Sequence, residues 1–177
     1  PPSCTDGVMN QRETGIDCGG SCQRLCVAPR VSALWSRAVI AAPGVYHAVA
    51  LVRNPESGAG TARLPYSFSV FDERNILIAT REGIMRLDPG EIVPLFEPNI
   101  IAGERIPART FVTLGSAEWV RAERKDMPVR VVTHSLDNEN LRLTASIENT
   151  SAVLVNNIAF TALLYDGKPV TVAELER

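Results

Sequence analysis

The chain has 177 residues but only two histidines, His47 and His134, and no cysteine beyond Cys26. Each histidine lies near the start or end of a candidate β-strand, outside any catalytic or metal-binding motif. No G-x-S-x-G, Walker, H-E-x-x-H or G-x-G-x-x-G pattern is present. Carboxylate pairs such as Asp137 with Glu139 fall in polar turns, where solvation explains them. The sequence therefore predicts no catalytic residues, and we expect that the protein is not an enzyme.

The chain also lacks a strong charge of either sign and a long apolar run. Its 18 basic and 20 acidic residues give a net charge of −2, which provides no electrostatic signal for nucleic acid or an anionic membrane. No segment approaches the roughly 18 consecutive apolar residues of a membrane-spanning helix. We therefore expect no nucleic-acid partner and no membrane span. The chain opens on Pro1-Pro2 without an initiator Met, which we expect of a mature or processed piece.

Short apolar runs rich in Val, Ile, Thr and aromatic residues dominate from about Val31 onward. Gly, Pro, Asn and Asp separate them, a pattern typical of β-strands, so the predicted fold class is mainly β. The glycine-rich stretch 54–65 and the stretch 96–108 are predicted to be loops at the ends of a sandwich. The best strand candidates are 46–54, 66–72, 75–80, 109–115, 117–123, 129–134, 141–149, 155–166 and 169–174.

An internal repeat links two β units on either side of a charged stretch. The segments "AVALVRN" and "YSFSVFDERNILIATRE" align with the later "LTASIEN" and "FTALLYDGKPVTVAELE". Asn54 then falls on Asn149, and Asp72 falls on Asp166. The second copy stops about halfway through the first, so we expect a partial sandwich with uncovered apolar faces and strand edges. Either the sequence is truncated or another chain completes it.

A family resemblance rests on motifs in both copies. The run "FSVFD" at 68–72, followed by "LDPGE" at 87–91, resembles the FxLYD family of small extracellular β-sandwich domains. "LLYD" at 163–166 resembles it again, although Ala162 stands where the Phe of the motif is expected. The resemblance covers about 31–122 and implies an immunoglobulin-like β-sandwich of secreted and envelope proteins, structural or adhesive, with no catalytic site.

Within that sandwich the resemblance makes specific demands. Phe68 and Val70 should share one face of a strand, Phe71 should lie near the edge turn, and "DPGE" should form a tight turn. Independently of the resemblance, Trp35 and Trp119 lie in or beside candidate strands and are predicted to be core residues, and their rings could pack together; the alternative is that they are exposed ligand-binding aromatics. The predicted organisation is a Cys-rich segment at 1–29, an immunoglobulin-like sandwich at 30–123, a linker at 124–128 and a partial second sandwich at 129–177.

All four cysteines lie within the first 26 residues, and they are Cys4, Cys18, Cys22 and Cys26. The segment looks like a short Cys-rich module of secreted and surface proteins, C-x-D-G-x-x-N-x-x-E-T-x-x-D-C-G-G-x-C. Two disulfides are the leading interpretation, and spacing alone leaves three pairings open. The alternative is a Cys4 zinc site, although such sites usually show two C-x2-4-C knuckles.

Oxygen-bearing side chains recur between these cysteines at intervals of three to four residues. Asp6, Asn10, Glu13 and Asp17 offer the donors that calcium prefers, so we predict a structural calcium site as one alternative. The loop lacks the D-x-D-x-D-G order of an EF-hand, and such residues also cap backbone amides through Asx turns. No other cofactor is expected.

These observations favour a non-enzymatic extracellular or cell-surface protein. The expected function is structural or adhesive, as a tandem-repeat subunit of a stalk or filament in which another subunit's strand completes the half domain. The expected partner is protein, including further copies of the chain. The alternative is a module that binds glycan, peptide or calcium.

Overall fold

The computed structural model describes residues 3–124, 126–137, 139–140, 142–156, 158–165 and 169–176. This part of the chain is all β, which confirms the predicted fold class, and it contains no helix long and apolar enough to cross a membrane. The strands are β1 (Ser32–Ala42), β2 (Val45–Arg53), β3 (Ala59–Asp72), β4 (Leu77–Leu87), β5 (Ile92–Ile101), β6 (Pro107–Leu114), β7 (Val120–Arg121), β8 (Val129–Asp137), β9 (Arg142–Asn149), β10 (Ala159–Tyr165) and β11 (Pro169–Glu176).

The first seven strands form a β-sandwich of two antiparallel sheets, in the orders β1-β2-β5 and β4-β3-β6. The order β1-β2-β5 and the pairing of β3 with β6 follow the A-B-E and C-F arrangement of immunoglobulin-like sandwiches, with β4 paired to β3. The core lies between the sheets. Its buried members are Ala48, Ala50, Val52, Ala59, Leu64, Phe68, Val70, Met85, Leu87, Leu95, Ile100 and Trp119.

Strand β3 supplies the centre of this core. Phe68 and Val70 are both fully buried, which confirms that they share the inner face, while Phe71 lies on the opposite face near the end of the strand. Residues two apart point the same way in a strand, so the alternation "FSV" places Ser69 outside. Removing Phe68 from water alone is worth roughly 2–3 kcal/mol.

Two side chains of the inner face tie the sheets together by a polar contact. Tyr66 on β3 pairs with Gly83 on β4, and its ring occupies the space that a Cβ at position 83 would need. The Tyr66 hydroxyl donates to Glu97 Oε1 on β5, 2.7 Å away in the other sheet. A glycine at position 83 is therefore required by the close approach of the tyrosine ring.

The turn at "DPGE" is confirmed. Asp88 O accepts a hydrogen bond from Glu91 N, and Gly90 has φ +64°, where glycine is favoured because it has no Cβ. Pro89, the residue before Gly90, has its own φ fixed by the proline ring at a value that suits this turn. This turn connects β4 to β5.

Two predicted loops were wrong. Strand β3 already begins at Ala59, although "GAGTARLP" reads as a loop, and β5 runs through Ile92–Ile101 although it contains Pro94 and Pro98. Proline removes a donor, and β5 tolerates it because it lies at a sheet edge with one side unpaired. Strand β1 was missed, and the predicted strand at 117–123 contracts to Val120–Arg121.

The chain divides into two compact units. The first contains Pro1–Arg124 and Thr161–Ala173, and the second contains Lys125–Phe160 and Glu174–Arg177. The first break falls at the start of the stretch predicted as a linker. The hairpin of β8 and β9 lies in the second unit and forms a sheet of two strands.

Candidate functional site

The Cys-rich segment contains two disulfides, which confirms the leading interpretation. They join Cys4 to Cys22 and Cys18 to Cys26, at sequence separations of 18 and 8. All four cysteines of the chain are thus paired, and none is free to supply a thiolate to zinc. The chain at Gly15 and Gly19 passes directly against the Cys18–Cys26 bridge, so a larger residue there would meet sulfur.

The four oxygen-bearing residues hold the segment's backbone. Asp17 Oδ1 accepts hydrogen bonds from the N–H groups of Asp6 (2.9 Å) and Gly7 (3.2 Å). Asp6 in turn accepts from Ser3 N and from the side-chain amide of Asn10, each at 2.9 Å. These bonds, led by the one from Ser3 N, lower the pKa of Asp6 because they favour its charged form.

Glu13 is the buried member of this set. Its Oε2 accepts from Asn10 N (3.0 Å) and Asp17 N (3.4 Å), while Glu13 N donates to Asn10 O (2.8 Å). The side chain is 5% exposed. A buried carboxylate is tolerated where backbone N–H groups satisfy it, so Glu13 fixes the loop that runs between the two bridges.

Metal-ligand geometry differs from the predicted calcium set. Within the described ranges, one group of three acidic or sulfur ligands has its ligand atoms within 4.8 Å of one another, and it is Cys4, Glu13 and Cys22. Two of these are the sulfurs of one disulfide. Asp6 Oδ1 instead accepts from Val8 N, two residues on, which is the Asx-turn alternative that the sequence left open. Asp17 accepts the N–H groups of Asp6 and Gly7, which are distant in the sequence. Calcium binding stays a prediction.

The segment is bonded to the sandwich through β7. Leu25 N donates to Trp119 O and Arg121 N donates to Gln23 O, both at 2.8 Å, and β7 pairs on its other side with the start of β3. Leu25 also packs against the core. The residues after Cys22 therefore extend the sheet. No local sequence pattern predicts this contact.

The two histidines and two tryptophans lie in different surroundings. His47, on β2, contacts the ring of Phe96 at a centroid distance of 4.9 Å, and its Nδ1 accepts from Asn99 N at 3.3 Å. Partial burial lowers the pKa of His47. His134 lies on the exposed hairpin of the second unit. The interpretation that the tryptophans pack together was wrong, because they belong to different apolar clusters.

One face of the β8–β9 hairpin is apolar and exposed. Val131 pairs with Ile147 and Leu136 pairs with Leu143, which places these four apolar side chains on the same face, with the apolar Ala145 between them and its partner His134 beside it. The four large residues are 38–53% exposed. We call the five apolar residues the uncovered face. A two-stranded hairpin with such a face is marginally stable in water on its own.

The β8–β9 hairpin and the β1–β2 hairpin share a register irregularity. In each, the strand register shifts by one residue, between Ala33 and Trp35 in the first and between Val131 and Thr133 in the second. Opposite these shifts lie Val52 and Ile147, each two residues before the aligned asparagines. With Asn54 placed on Asn149, the bulges coincide.

The aligned asparagines also make similar bonds. Asn54 Oδ1 accepts from Glu56 N, and Asn149 Oδ1 accepts from Ser151 N, two residues on in both cases. The amide of Asn54 donates to Ala59 O, and that of Asn149 to Val153 O. Each asparagine thus turns the chain after the second strand of its hairpin. The other aligned pair cannot be compared, because Asp166 lies outside the described residues.

Comparison of the chain with family models, curated proteins and solved structures found no match. The FxLYD resemblance therefore rests on the motif residues alone. The function has to be argued from the disulfide-tied segment, the sandwich and the uncovered face.

Proposed function

We propose that this chain is a non-enzymatic structural module of an extracellular or cell-surface protein, of the FxLYD type, and that its second β unit is completed by strands of another copy. The observation that carries the proposal is the uncovered face. By the alignment, Leu143, Ala145 and Ile147 correspond to Ala48, Ala50 and Val52, which are fully buried in the sandwich core.

The proposed compartment follows from the cysteines. Two disulfides tie a segment of Gly, Asp, Asn and Cys that has too few apolar residues for a core of its own. Such bridges form and persist in oxidising environments and are rare where glutathione keeps thiols reduced. Their presence favours the outside of the cell.

Self-association is favoured by the chemistry of the uncovered face. Burying apolar surface contributes about 25 cal/mol per Å², and strands add the backbone hydrogen bonds of an exposed edge. In the first unit the equivalent residues of β2 belong to the same buried cluster as Phe68 and Val70 of β3, in the other sheet. A strand of that alternating type is the partner that the uncovered face fits.

Sedimentation velocity over about 1 µM to 1 mM protein tests the proposal, the range in which exposed apolar surface drives association. We expect the average mass to rise with concentration. Ile147→Asp should reduce this rise, because it places a charge on the uncovered face. Ser146→Asp, one residue away on the opposite face of β9, is the matched control and should leave association unchanged. A chain that stays monomeric throughout would overturn the proposal.

A further inference from the structure

The outer face of the sheet β1-β2-β5 carries an apolar cluster beside Arg37 and His47. Val49 on β2 pairs with Arg37 on β1 and with Phe96 on β5, and it points away from its neighbours Ala48 and Ala50 in the core. Yet Val49 is completely buried, and Val39 on the same face is 5% exposed. We call Trp35, Val39, Val49 and Phe96 the docking face. A buried apolar cluster on the outer side of a sheet requires a further layer over it.

Residues 161–165 of β10, which belong to the first unit, provide that layer. Leu163 packs against Val39 and Val49, together with the rings of Trp35 and Phe96. Among the described residues, the sheet that contains β10 consists of β10 and β11 and includes no strand of the sandwich. In this part of the chain β10 contacts the docking face through the side chain of Leu163. Its detachment from that face breaks none of the pairings to the sandwich that the described residues form.

The two faces of β10 carry apolar residues that fit two different surfaces. In the repeat alignment, Leu163 takes the place of Ser69, on the outer face of β3, whereas Ala162 and Leu164 take the places of the core residues Phe68 and Val70. The strand is thus apolar on both sides. Leu163 fits the docking face, and Leu164 is the side chain that a completed second sandwich would bury.

We propose that the docking face is the acceptor, and β10 the donor, of a head-to-tail contact between copies of this chain, and that in the isolated chain the donor occupies its own acceptor. The packing that Leu163 makes within one chain is then made between two. Exchange of an identical element costs little, because the packing that forms between chains equals the packing that it replaces. Donor and acceptor are different surfaces, so the contact produces an open chain of subunits where the rotation between copies does not close, and a closed ring or a reciprocal dimer where it does.

This proposal rests on the self-association of the proposed function but names a different surface for it. Two variants separate the surfaces. Leu163→Asp removes the donor contact, and Ile147→Asp alters only the uncovered face. If Ile147→Asp is monomeric while Leu163→Asp associates like the wild type, association proceeds through the uncovered face alone, and the donor-acceptor contact is refuted while the proposed function stands.

Docking within the chain is measured by fluorescence. Trp119→Phe leaves Trp35 as the single tryptophan, on the docking face. Adding Leu163→Asp should shift the Trp35 emission to longer wavelength, because water reaches the indole when β10 leaves. Leu164→Asp, on the other side of the strand, is the control and should leave the emission unshifted. An unchanged spectrum for Leu163→Asp would contradict the contact.

Docking between chains is measured by complementation. The complementation test is made with Ile147→Asp in every chain, so that the uncovered face does not contribute to association. Phe96→Asp then disables the acceptor and Leu163→Asp the donor, so each double variant alone should be monomeric at concentrations where Ile147→Asp alone associates. A one-to-one mixture retains one intact donor and one intact acceptor and should form a heterodimer that grows no further. A mixture that stays monomeric overturns the proposal. If Phe96→Asp fails to fold, judged by its thermal melt, Val39→Asp on β1 replaces it.

Discussion

The β1–β2 and β8–β9 hairpins share a bulge at the same distance from an asparagine, and their asparagines make similar turns, but their burial is opposite. Ala48, Ala50 and Val52 are fully buried, whereas Leu143 and Ile147 are about two-fifths exposed. Their own sequences do not explain this, because the second hairpin carries the larger apolar residues. The strands that cover the first hairpin make the difference.

The most direct test of this difference in burial is to remove the residue of β3 that buries the first hairpin. Phe68→Ala deletes the largest side chain that β3 places over β2, and we expect it to reduce the free energy of unfolding by about 3–5 kcal/mol. Urea denaturation followed by tryptophan fluorescence measures the loss. Phe111→Ala, on the outer face of the same sheet and 54% exposed, should change stability by about 0.5 kcal/mol or less. Equal losses in both variants would show that the inner face is not the core.

The disulfide-tied segment gives the next largest effect. Replacing Cys4 and Cys22 together by alanine opens the wider of the two loops and should destabilise the segment by about 3 kcal/mol, since the cross-link restricts the unfolded chain. Replacing Cys18 and Cys26, which close the shorter loop, should cost slightly less. Amide hydrogen exchange at Gln23 to Leu25 reports the loss where the segment joins β7. Unchanged protection in both double variants would count against the role of the bridges.

A matched pair sharpens the comparison between hairpins. Val52→Ala should destabilise the first unit by on the order of 2 kcal/mol, because it leaves a cavity in a packed core. Ile147→Ala, at the aligned position, removes more carbon but from an exposed face, and should change monomer stability by about 0.5 kcal/mol or less. Thermal melts of dilute protein compare the two. A larger loss at Ile147 would mean that the uncovered face is already covered in the monomer.

The smallest effect expected is the pH dependence of His47. Burial lowers its pKa below the ordinary 6.5, so the folded state favours the neutral ring, whose Nδ1 accepts from Asn99 N. Its contribution to stability is complete above pH 6.5 and is lost as the pH falls through the lowered pKa. The urea midpoint of the wild type should therefore fall over this window more than that of His47→Gln. A midpoint that rises as the ring becomes protonated would reverse the sign.

Prediction from sequence worked where a local pattern carries the information. Phe68 and Val70 alternate with polar residues, so their shared inner face could be read directly, and Pro89-Gly90 specified the turn between β4 and β5. The prediction failed at β5, whose second half fell in the loop predicted at 96–108. The strand contains Pro94 and Pro98, which a sheet edge tolerates and a central strand would not. The start of β3 was predicted as a loop because it is rich in glycine. It is a strand because it pairs with β4 and β7.

The candidate site was predictable in composition but not in arrangement. The crowding of four cysteines among Gly, Asp and Asn indicated cross-links, and the carboxylates indicated either calcium or backbone caps. Which sulfur bonds to which, and that Asp17 holds the N–H groups of Asp6 and Gly7, depends on how the loop closes. Spacing limits the pairings to three and cannot choose among them.

The sequence by itself determined the mainly-β class and the inner face of β3, because each depends on residues close together in the chain. It also favoured disulfides over a zinc site and aligned the two asparagines through the internal repeat. Only the tertiary structure decided that Leu25 extends the sheet through β7, that Trp35 and Trp119 lie in separate clusters, and that Leu163 covers Val49. These contacts join segments far apart along the chain. Their formation depends on which apolar surfaces remain exposed after the local strands have paired.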